Sequence, residues 1–398
     1  MSYAAGNSRI QASLEQHIHS GALPGAVALV SFREEVRAFA LGRKASTSEQ
    51  PMQRDSIFRI SSMSKPITAS AALLLVARGV LSLDEPIQRW LPELADRRVL
   101  RSLNGPLTDT VRVVRPVTVR DLLSSTDGFG QLYGSPAEYP IIAAALDAGI
   151  RMGPPAPASQ PEPGEWLNRL GNLPLMQQPG DSFLYDTASD VLSVLTARAA
   201  GTDFATFLRE NMFQPLGMHD TGFTVPPEQQ SRLVSAYTPD AVTGSPVLTD
   251  DPQTGQWSTT PAFPSGAGGL VSTCDDYLAF ALMLLNDGRA GTQQILKPDT
   301  ARLMIRDSLS TGQKSRSMEI PLDFRTHTWG LGMAVVTAHD QIWPVGSYGW
   351  TGGLGTQWTT DPQRQMIAIV MTQVAMTSPD SGQVFDDFSA AVQAADQS

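Results

Sequence analysis

Strand-like sequence lies at both ends of the chain, with mainly helical sequence between them. Near the amino terminus, residues 25–32 and 36–42 are apolar or β-branched runs, which predict a hairpin. After about residue 329 the hydrophobic repeat changes from a helical to a strand-like period. Four further strands are predicted there, over residues 331–337, 342–348, 354–360 and 366–372. Such a chain is predicted to be α/β (α+β), with one sheet built from both ends and a helical insertion.

Composition narrows the classes of function. The 398 residues can bury a large core, and 41% of them are hydrophobic. The net charge of −10 and the lack of Lys/Arg-rich runs argue against nucleic-acid binding. The single cysteine, Cys274, excludes internal disulfides and is predicted to be a small buried residue. No apolar run reaches the length of a membrane span and no signal-peptide pattern is visible, so we expect no membrane insertion and a cytoplasmic location.

A serine and a lysine stand three residues apart where a helix is predicted to begin. Ser62 and Lys65 precede the apolar run 67–77, and Pro66 falls in the first turn, where an amide N–H has no intrahelical partner. Residues i and i+3 share a helix face, so the lysine amine can reach the serine hydroxyl. A serine hydroxyl hardly ionises at neutral pH, and a desolvated lysine can act as its base. On spacing alone, however, a helix-capping serine followed by a surface lysine is the favoured interpretation.

Other catalytic chemistries find little support in the sequence. No G-x-S-x-G motif occurs, which argues against an α/β-hydrolase. The histidines offer one closely spaced pair, His17 and His19, on a predicted helix where residues i and i+2 point apart. The glycine-rich run 266–269 lacks the lysine of a phosphate-binding loop. We therefore predict no metal and no cofactor.

Landmarks spread over most of the chain carry a resemblance to a known superfamily. They are residues 58–68, 79–86, 178–180 with Tyr185, 213–218 with Thr221, 266–270, 272–273 and 349–353. In this order they resemble the serine β-lactamase and penicillin-binding-protein superfamily and, within it, class C β-lactamases and family VIII carboxylesterases. The resemblance implies a β-lactamase/DD-peptidase-like fold, in which a mostly antiparallel sheet is flanked by helices. It also implies a sheet domain of residues 1–60 and 271–398 and a mainly helical domain of residues 61–270, with a proline-rich loop over 129–182.

Such enzymes share three motifs, whose roles pass by resemblance to the matching residues of this chain. Ser62 is the implied nucleophile, and Lys65 is its partner base. Tyr185 matches the tyrosine that shares protons with the lysine and protonates the leaving group. The backbone N–H groups of Ser62 and Gly353 are the implied oxyanion hole. The third motif, which is implied to line the substrate pocket, is matched by Trp350, Thr351 and Gly352.

Three departures from these motifs limit the class of substrate that the resemblance implies. Trp350 stands where β-lactamases and peptidases carry a lysine that binds a substrate carboxylate, and Thr187 replaces an asparagine. Both changes favour a small-molecule neutral ester with a short acyl group, the kind of substrate that family VIII esterases cleave. Asp186 is a further departure from the second motif. A carboxylate at this position that pointed inward would raise the pKa of Lys65 and weaken it as a base.

Several alternatives stay open from the sequence. Within enzymes of the same fold they are a β-lactamase, a D-Ala peptidase or amidase, and an acyltransferase that excludes water. Outside catalysis, the alternative is a silent β-lactam-binding sensor, against which the joint presence of Ser62, Lys65 and Tyr185 argues. The oligomeric state is left open.

Overall fold

The computed structural model describes residues 3–33, 35–317, 322–377 and 379–396. Its strands are β1 (Gly25–Phe32), β2 (Glu35–Gly42), β3 (Phe58–Arg59), β4 (Arg98–Leu100), β5 (Thr110–Arg112), β6 (Ala236–Pro239), β7 (Pro246–Asp250), β8 (Val271–Ser272), β9 (Arg289–Ala290), β10 (Gln293–Gln294), β11 (His327–Trp329), β12 (Ala334–Val336), β13 (Tyr348–Gly352), β14 (Thr356–Asp361) and β15 (Met366–Thr372). The largest sheet has the order β11-β12-β13-β14-β15-β1-β2, with antiparallel neighbours throughout. The predicted antiparallel sheet with strands from both chain ends is confirmed.

The central strands of this sheet are covered on both faces. In β1, Val27 and Leu29 belong to the larger apolar core, whereas Ala28 and Val30 belong to a second core on the opposite face. Successive strand residues point to opposite faces, so a strand buried on both sides needs a continuous apolar run. That is the pattern of residues 25–32.

Helices cover both faces of the sheet. They are α1 (Tyr3–His19), α2 (Ser64–Ala77), α3 (Val119–Leu123), α4 (Pro140–Asp147), α5 (Pro163–Gly171), α6 (Thr187–Ala200), α7 (Phe204–Leu208), α8 (Gln214–Leu216), α9 (Cys274–Leu285), α10 (Pro298–Met304), α11 (Thr311–Arg316) and α12 (Gln383–Asp396). One face carries α1 and α12, and the other carries α9 with α2 beyond it. The flanking helices of the predicted fold are thus confirmed. Among the helices of the described ranges, none combines the length and the apolar character needed to cross a membrane.

One predicted strand is wrong. Residues 342–347 form a turn, and the strand predicted over 342–348 begins only at Tyr348, as β13. The Asp340 carboxylate accepts hydrogen bonds from the backbone N–H groups of Ile342 and Trp343, and these bonds close the turn. Local side-chain bonds of this kind compete with strand pairing. Trp343 is nevertheless buried in the second core, so the apolar residues here reflect packing and not a strand.

The proline-rich segment 129–182 is not a continuous loop, because it contains α4 and α5. Each of these helices begins with a proline, whose missing N–H costs nothing in a first turn. In α5, the Glu162 side chain caps the amino terminus, and Trp166 and Leu167 are buried. Residues 148–156 between the two helices are irregular and lead to the candidate site.

The domain boundaries implied by the resemblance, after residues 60 and 270, stay a prediction. Both fall beside the small sheet in which β3 pairs with β8. In its register, Phe58 is opposite Ser272 and Arg59 is opposite Val271. This small sheet ties the sequence just before Ser62 to the sequence just before α9.

Candidate active site

Ser62 lies in a short 3₁₀ turn, Ser61–Met63, that leads directly into α2. Ser61 has a left-handed backbone (φ 45°), which is uncommon for a residue other than glycine. The carbonyl of Ile60 lies so close to Gly352 of β13 that a Cβ at position 352 would be 2.2 Å from its oxygen. Glycine at position 352 therefore allows β13 to pack directly against the turn that carries the candidate nucleophile.

Lys65 is buried beneath this turn, where it uses all three of its hydrogen-bond donors. Its Nζ lies 3.0 Å from Ser62 Oγ. The other two contacts are 2.6 Å to Asp186 Oδ1 and 2.7 Å to the carbonyl oxygen of Ala267. The side chain is only 1% exposed, so these bonds replace the water that an ammonium group requires. In this arrangement, Lys65 donates a hydrogen bond to the Ser62 hydroxyl oxygen.

Asp186 points towards Lys65, so the inward orientation that was considered from the sequence is the one observed. Burial is the largest single effect on Lys65 and lowers its pKa, but the Asp186 carboxylate and Tyr185 together outweigh burial, and the net pKa of Lys65 is raised. Burial raises the pKa of Asp186, yet the charges of Lys65 and Arg151 reverse that effect, and its net pKa is lowered. At neutral pH the pair is therefore an ammonium and a carboxylate.

Arg151 is a member of the site that sequence reasoning missed. Its Nη2 lies 3.3 Å from Asp186 Oδ2 and 3.9 Å from Asp190 Oδ2, and its side chain is 14% exposed. Burial raises the pKa of Asp190, whose Oδ1 accepts a hydrogen bond of 2.6 Å from Ser265. No spacing rule links an arginine of an irregular stretch to a carboxylate 35 positions later, so only the fold reveals this contact.

Tyr185 contacts Lys65 through the face of its ring. The Lys65 Nζ lies 4.5 Å from the ring centre. The indole N–H of Trp350 donates a 2.7 Å hydrogen bond to the Tyr185 phenol oxygen. Tyr185 and Trp350 are 6% and 8% exposed, and they pack in an aromatic cluster with Phe183 and Trp329. The sequence indicated only that Trp350 stands in place of a lysine, so its hydrogen bond to the phenol is an observation that the structure adds.

The sequence-predicted residues meet at one cleft of about 500 Å³. Its walls include Ser62, Tyr185, Trp350, Thr351 and Gly353. Gly352 lies behind this wall, against the turn before Ser62. Among the loop and turn hydrogen bonds of the described chain, neither the Ser62 N–H nor the Gly353 N–H donates to another backbone group.

Few charged groups face the cleft. Among its described lining residues, the cation is Arg151, which is paired with Asp186, and the other carboxylate is Asp386. Within the described ranges, no group of three or more His, Cys, Asp or Glu side chains could hold a metal ion. The site thus combines a hydroxyl, an ammonium and a phenol with walls that present no unpaired cation among those residues.

A family profile, two relatives and a solved structure each match this chain over nearly its whole length. The beta-lactamase family profile matches residues 10–386. Uncharacterized protein MT1414 of Mycobacterium tuberculosis is 36% identical over 370 residues, which span 91% of this chain and 89% of that protein. Esterase EstB of Burkholderia gladioli is 30% identical over 387 residues, which span 92% of this chain and 90% of EstB. Among solved structures, EstCE1, described as a hydrolase with promiscuous acyltransferase activity, has a TM-score of 0.80 and 28% identity, with 98% and 99% of the two chains covered.

Proposed function

The chain belongs to the beta-lactamase family of serine hydrolases, and on that premise we propose that it is a carboxylesterase that forms an acyl-enzyme on Ser62. The observation that carries this proposal is the buried Lys65 ammonium, 3.0 Å from a Ser62 hydroxyl that borders the cleft. Nucleophilic catalysis by serine requires an adjacent group that takes up the hydroxyl proton, and an ammonium does so only when it passes one of its own protons to another group. The similarity to Esterase EstB and to the hydrolase EstCE1 supports the same class of reaction.

In the acylation step, Ser62 Oγ attacks the carbonyl carbon of the ester, and its proton is relayed towards the alcohol oxygen by Lys65 and Tyr185, each of which takes up one proton as it gives one up. The carbonyl oxygen gains negative charge, which the N–H groups of Ser62 and Gly353 stabilise; losing one such donor costs about 3 kcal/mol in other enzymes. The alcohol oxygen takes the proton as its bond to carbon breaks. Water then attacks the acyl carbon, and the acid leaves while Ser62 regains its proton. One ester and one water thus yield one acid and one alcohol.

The cleft favours an uncharged ester with a short acyl group. Trp350 occupies the wall where β-lactamases and peptidases place a carboxylate-binding lysine. The charge of Arg151 is already balanced by Asp186. A substrate carboxylate would enter this site without a partner, which costs free energy. Penicillin-like antibiotics and D-Ala peptides carry such a carboxylate and are therefore disfavoured.

Acyl transfer to an alcohol is the second candidate. EstCE1 is described as having promiscuous acyltransferase activity, and that similarity is the observation in its favour. The acylation step would be the same, and an alcohol would then replace water as the acceptor. The aromatic faces of Tyr185 and Trp350 give the cleft apolar surface on which such an acceptor could pack.

The proposal is tested with purified protein and three assays. Hydrolysis of p-nitrophenyl acetate, butyrate and decanoate is compared with hydrolysis of nitrocefin, and the butyrate reaction is repeated with added alcohol. We expect kcat/KM to be highest for the short esters and at least about 30-fold lower for nitrocefin, because an unpaired carboxylate costs about 2 kcal/mol or more. Nitrocefin turnover without ester hydrolysis would instead identify a β-lactamase. An ester product that exceeds free acid would identify an acyltransferase.

A separate prediction follows from the hydrogen bond that Trp350 donates to Tyr185. We expect Trp350→Phe to lower kcat for p-nitrophenyl butyrate by about 10-fold with little change in KM, because losing a buried hydrogen bond costs about 1–2 kcal/mol. Phenylalanine keeps an aromatic ring against Tyr185 but removes the donor together with part of the indole's volume, so the control must share that loss of volume. Trp329→Phe is the matched control, since the Trp329 indole N–H has no hydrogen-bond partner in the described chain. Equal losses in the two variants would contradict a specific role for the Trp350 donor.

A further inference from the structure

We propose that Asp386 selects esters whose alcohol part carries an organic cation, that is, a quaternary or protonated ammonium group. This role rests on the proposed function and adds a substrate class to it, because Asp386 lines the same cleft as Ser62. Asp386 binds the alcohol part of the ester and takes no part in making or breaking bonds. Uncharged esters stay substrates, and a cationic alcohol part gains one further attraction.

Asp386 carries the one charge on the described cleft walls that lacks a counter-ion. Among the described lining residues, the charged ones are Arg151, Asp186 and Asp386. Arg151 and Asp186 pair with each other at 3.3 Å, and Asp186 also pairs with Lys65. Asp386 forms no ion pair with any residue of the described ranges. A cation that enters the cleft therefore meets a carboxylate that can bind it.

The carboxylates beside Asp386 have partners of their own. Asp387 Oδ2 lies 2.8 Å from His17 Nε2, and Asp340 accepts hydrogen bonds from two backbone N–H groups of its own turn. Burial raises the pKa of Asp386, and the charges of Asp387 and Asp340 raise it further. Partial burial beside like charges disfavours the ionised form of a carboxyl group, and a bound cation offsets that cost.

Hydrogen bonds of α12 fix the wall on which Asp386 stands. Ser389 is three residues after Asp386, so the two side chains share a face of the helix. Ser389 Oγ lies 3.3 Å from Gln357 Oε1 in β14, and Gln357 Nε2 lies 3.5 Å from Thr351 Oγ1 in β13. Gln357 and Thr351 both line the cleft. This face of α12 is therefore held against the two strands that form one wall of the site.

A short acyl group leaves most of the cleft to the alcohol part. The cleft volume of about 500 Å³ is that of a site for a drug-sized ligand. Besides Asp386, the first turn of α12 contributes Phe385 to the lining, and Phe385 is only 2% exposed because it packs in the second core. The first turn of α12 is thus anchored. The group that reaches Asp386 along this wall belongs to the alcohol part of the ester.

The surroundings of Asp386 suit an organic cation better than a metal ion. A single carboxylate supplies too few oxygen ligands for Ca²⁺ or Mg²⁺, and in the described ranges no group of three acidic, His or Cys side chains could hold a metal. Tyr133 and Trp350 also line the cleft, and the face of an aromatic ring attracts an ammonium group. The net charge of −10 further attracts cations to the protein.

The test compares two esters of the same shape and different charge. They are butyrylcholine and 3,3-dimethylbutyl butanoate, in which a carbon atom replaces the ammonium nitrogen. Release of butyric acid is titrated at about pH 8 and low ionic strength, and the ratio of the two kcat/KM values measures selectivity for the cation. We expect Asp386→Asn to lower this ratio about fivefold, which is the effect of losing a partly exposed ion pair.

Two further variants and a salt series sharpen the comparison. Asp387→Asn is the matched control, because this neighbouring carboxylate pairs with His17 and is not among the described lining residues; its ratio should stay close to the wild-type ratio. Asp386→Lys reverses the charge and should lower the ratio about 10-fold or more. Raising NaCl from about 0.02 to about 0.5 M should lower the wild-type ratio towards that of Asp386→Asn, because salt screens the attraction.

An unchanged ratio in both Asp386 variants would overturn this role, and so would an equal fall in Asp387→Asn. If the Asp386 variants do not fold, as judged by circular dichroism, the wild-type salt series decides, and a ratio that does not respond to salt overturns the role. Failure of the proposed function looks different. A wild type that hydrolyses neither ester would exclude the esterase and with it the role of Asp386, whereas hydrolysis of both esters with a salt-independent ratio would exclude only the latter.

Discussion

Ser62→Ala is expected to lower kcat for p-nitrophenyl butyrate by at least about 10⁴-fold, because it removes the atom to which the acyl group must bond. Ser62 Oγ borders the cleft and receives its hydrogen bond from Lys65. What remains in the variant is the polarity of the cleft and the backbone N–H groups, which alone supply weak catalysis in other serine hydrolases. Alanine fits the 3₁₀ turn equally well, so the thermal midpoint should change little. Steady-state kinetics and circular dichroism measure the two quantities.

A second serine on the same helix provides the control. Ser70 is fully buried in α2, where its hydroxyl donates to the Pro66 carbonyl, and it does not line the cleft. Ser70→Ala should therefore keep the wild-type kcat. When each variant is treated with a fluorophosphonate and its intact mass is measured, Ser70→Ala should gain one phosphonyl group and Ser62→Ala should gain none. Ester turnover that persists in Ser62→Ala would remove Ser62 as the nucleophile and require another residue of the cleft.

Local periodicity predicted the parts of the fold and site that depend on neighbouring residues. Helical spacing allowed the contact between Ser62 and Lys65, but on spacing alone a capping serine and a surface lysine were favoured, and the resemblance decided between the two. The helix that supplies the contact was visible in the apolar run after Pro66. Strands β1 and β15 were also found, because burial on both faces leaves a continuous apolar run. Tyr185 had no such local signal. Its place beside Lys65 came only from the resemblance to a superfamily.

Long-range side-chain geometry could not be read from the sequence. Whether Asp186 caps α6 or turns inward depends on its backbone angles, which the residue order does not determine. Arg151 reaches Asp186 only because an irregular stretch after α4 folds over the site. The donor role of Trp350 needed the register of β13, and the predicted strand had been placed too early in the chain. Each of these misses concerns where a polar group points, whereas hydrophobic pattern reports only burial.

Arg59, three residues before Ser62, forms a second buried ion pair, with Asp250 at the end of β7. Arg59 Nε lies 2.8 Å from Asp250 Oδ1, and its Nη1 donates to the carbonyl of Val234. The two side chains are only 2% and 7% exposed. Burial lowers the pKa of Arg59 despite the carboxylate beside it, which shows how strongly this site disfavours an uncompensated charge. The pair ties β3, and through it the candidate nucleophile, to the hairpin of β6 and β7.

Asp250→Ala is accordingly expected to lower the free energy of unfolding by about 3–5 kcal/mol, because it leaves a buried guanidinium without its counter-ion. Urea denaturation followed by circular dichroism measures the loss. Asp275→Ala is the control: the Arg54–Asp275 pair is 52% and 43% exposed, and its loss should cost less than about 1 kcal/mol. Adding Arg59→Met to Asp250→Ala should restore part of the stability, since an apolar side chain replaces the unpaired charge. A loss for Asp250→Ala no larger than that of the control, or no recovery in the double variant, would mean that the ion pair does not hold β3 in place.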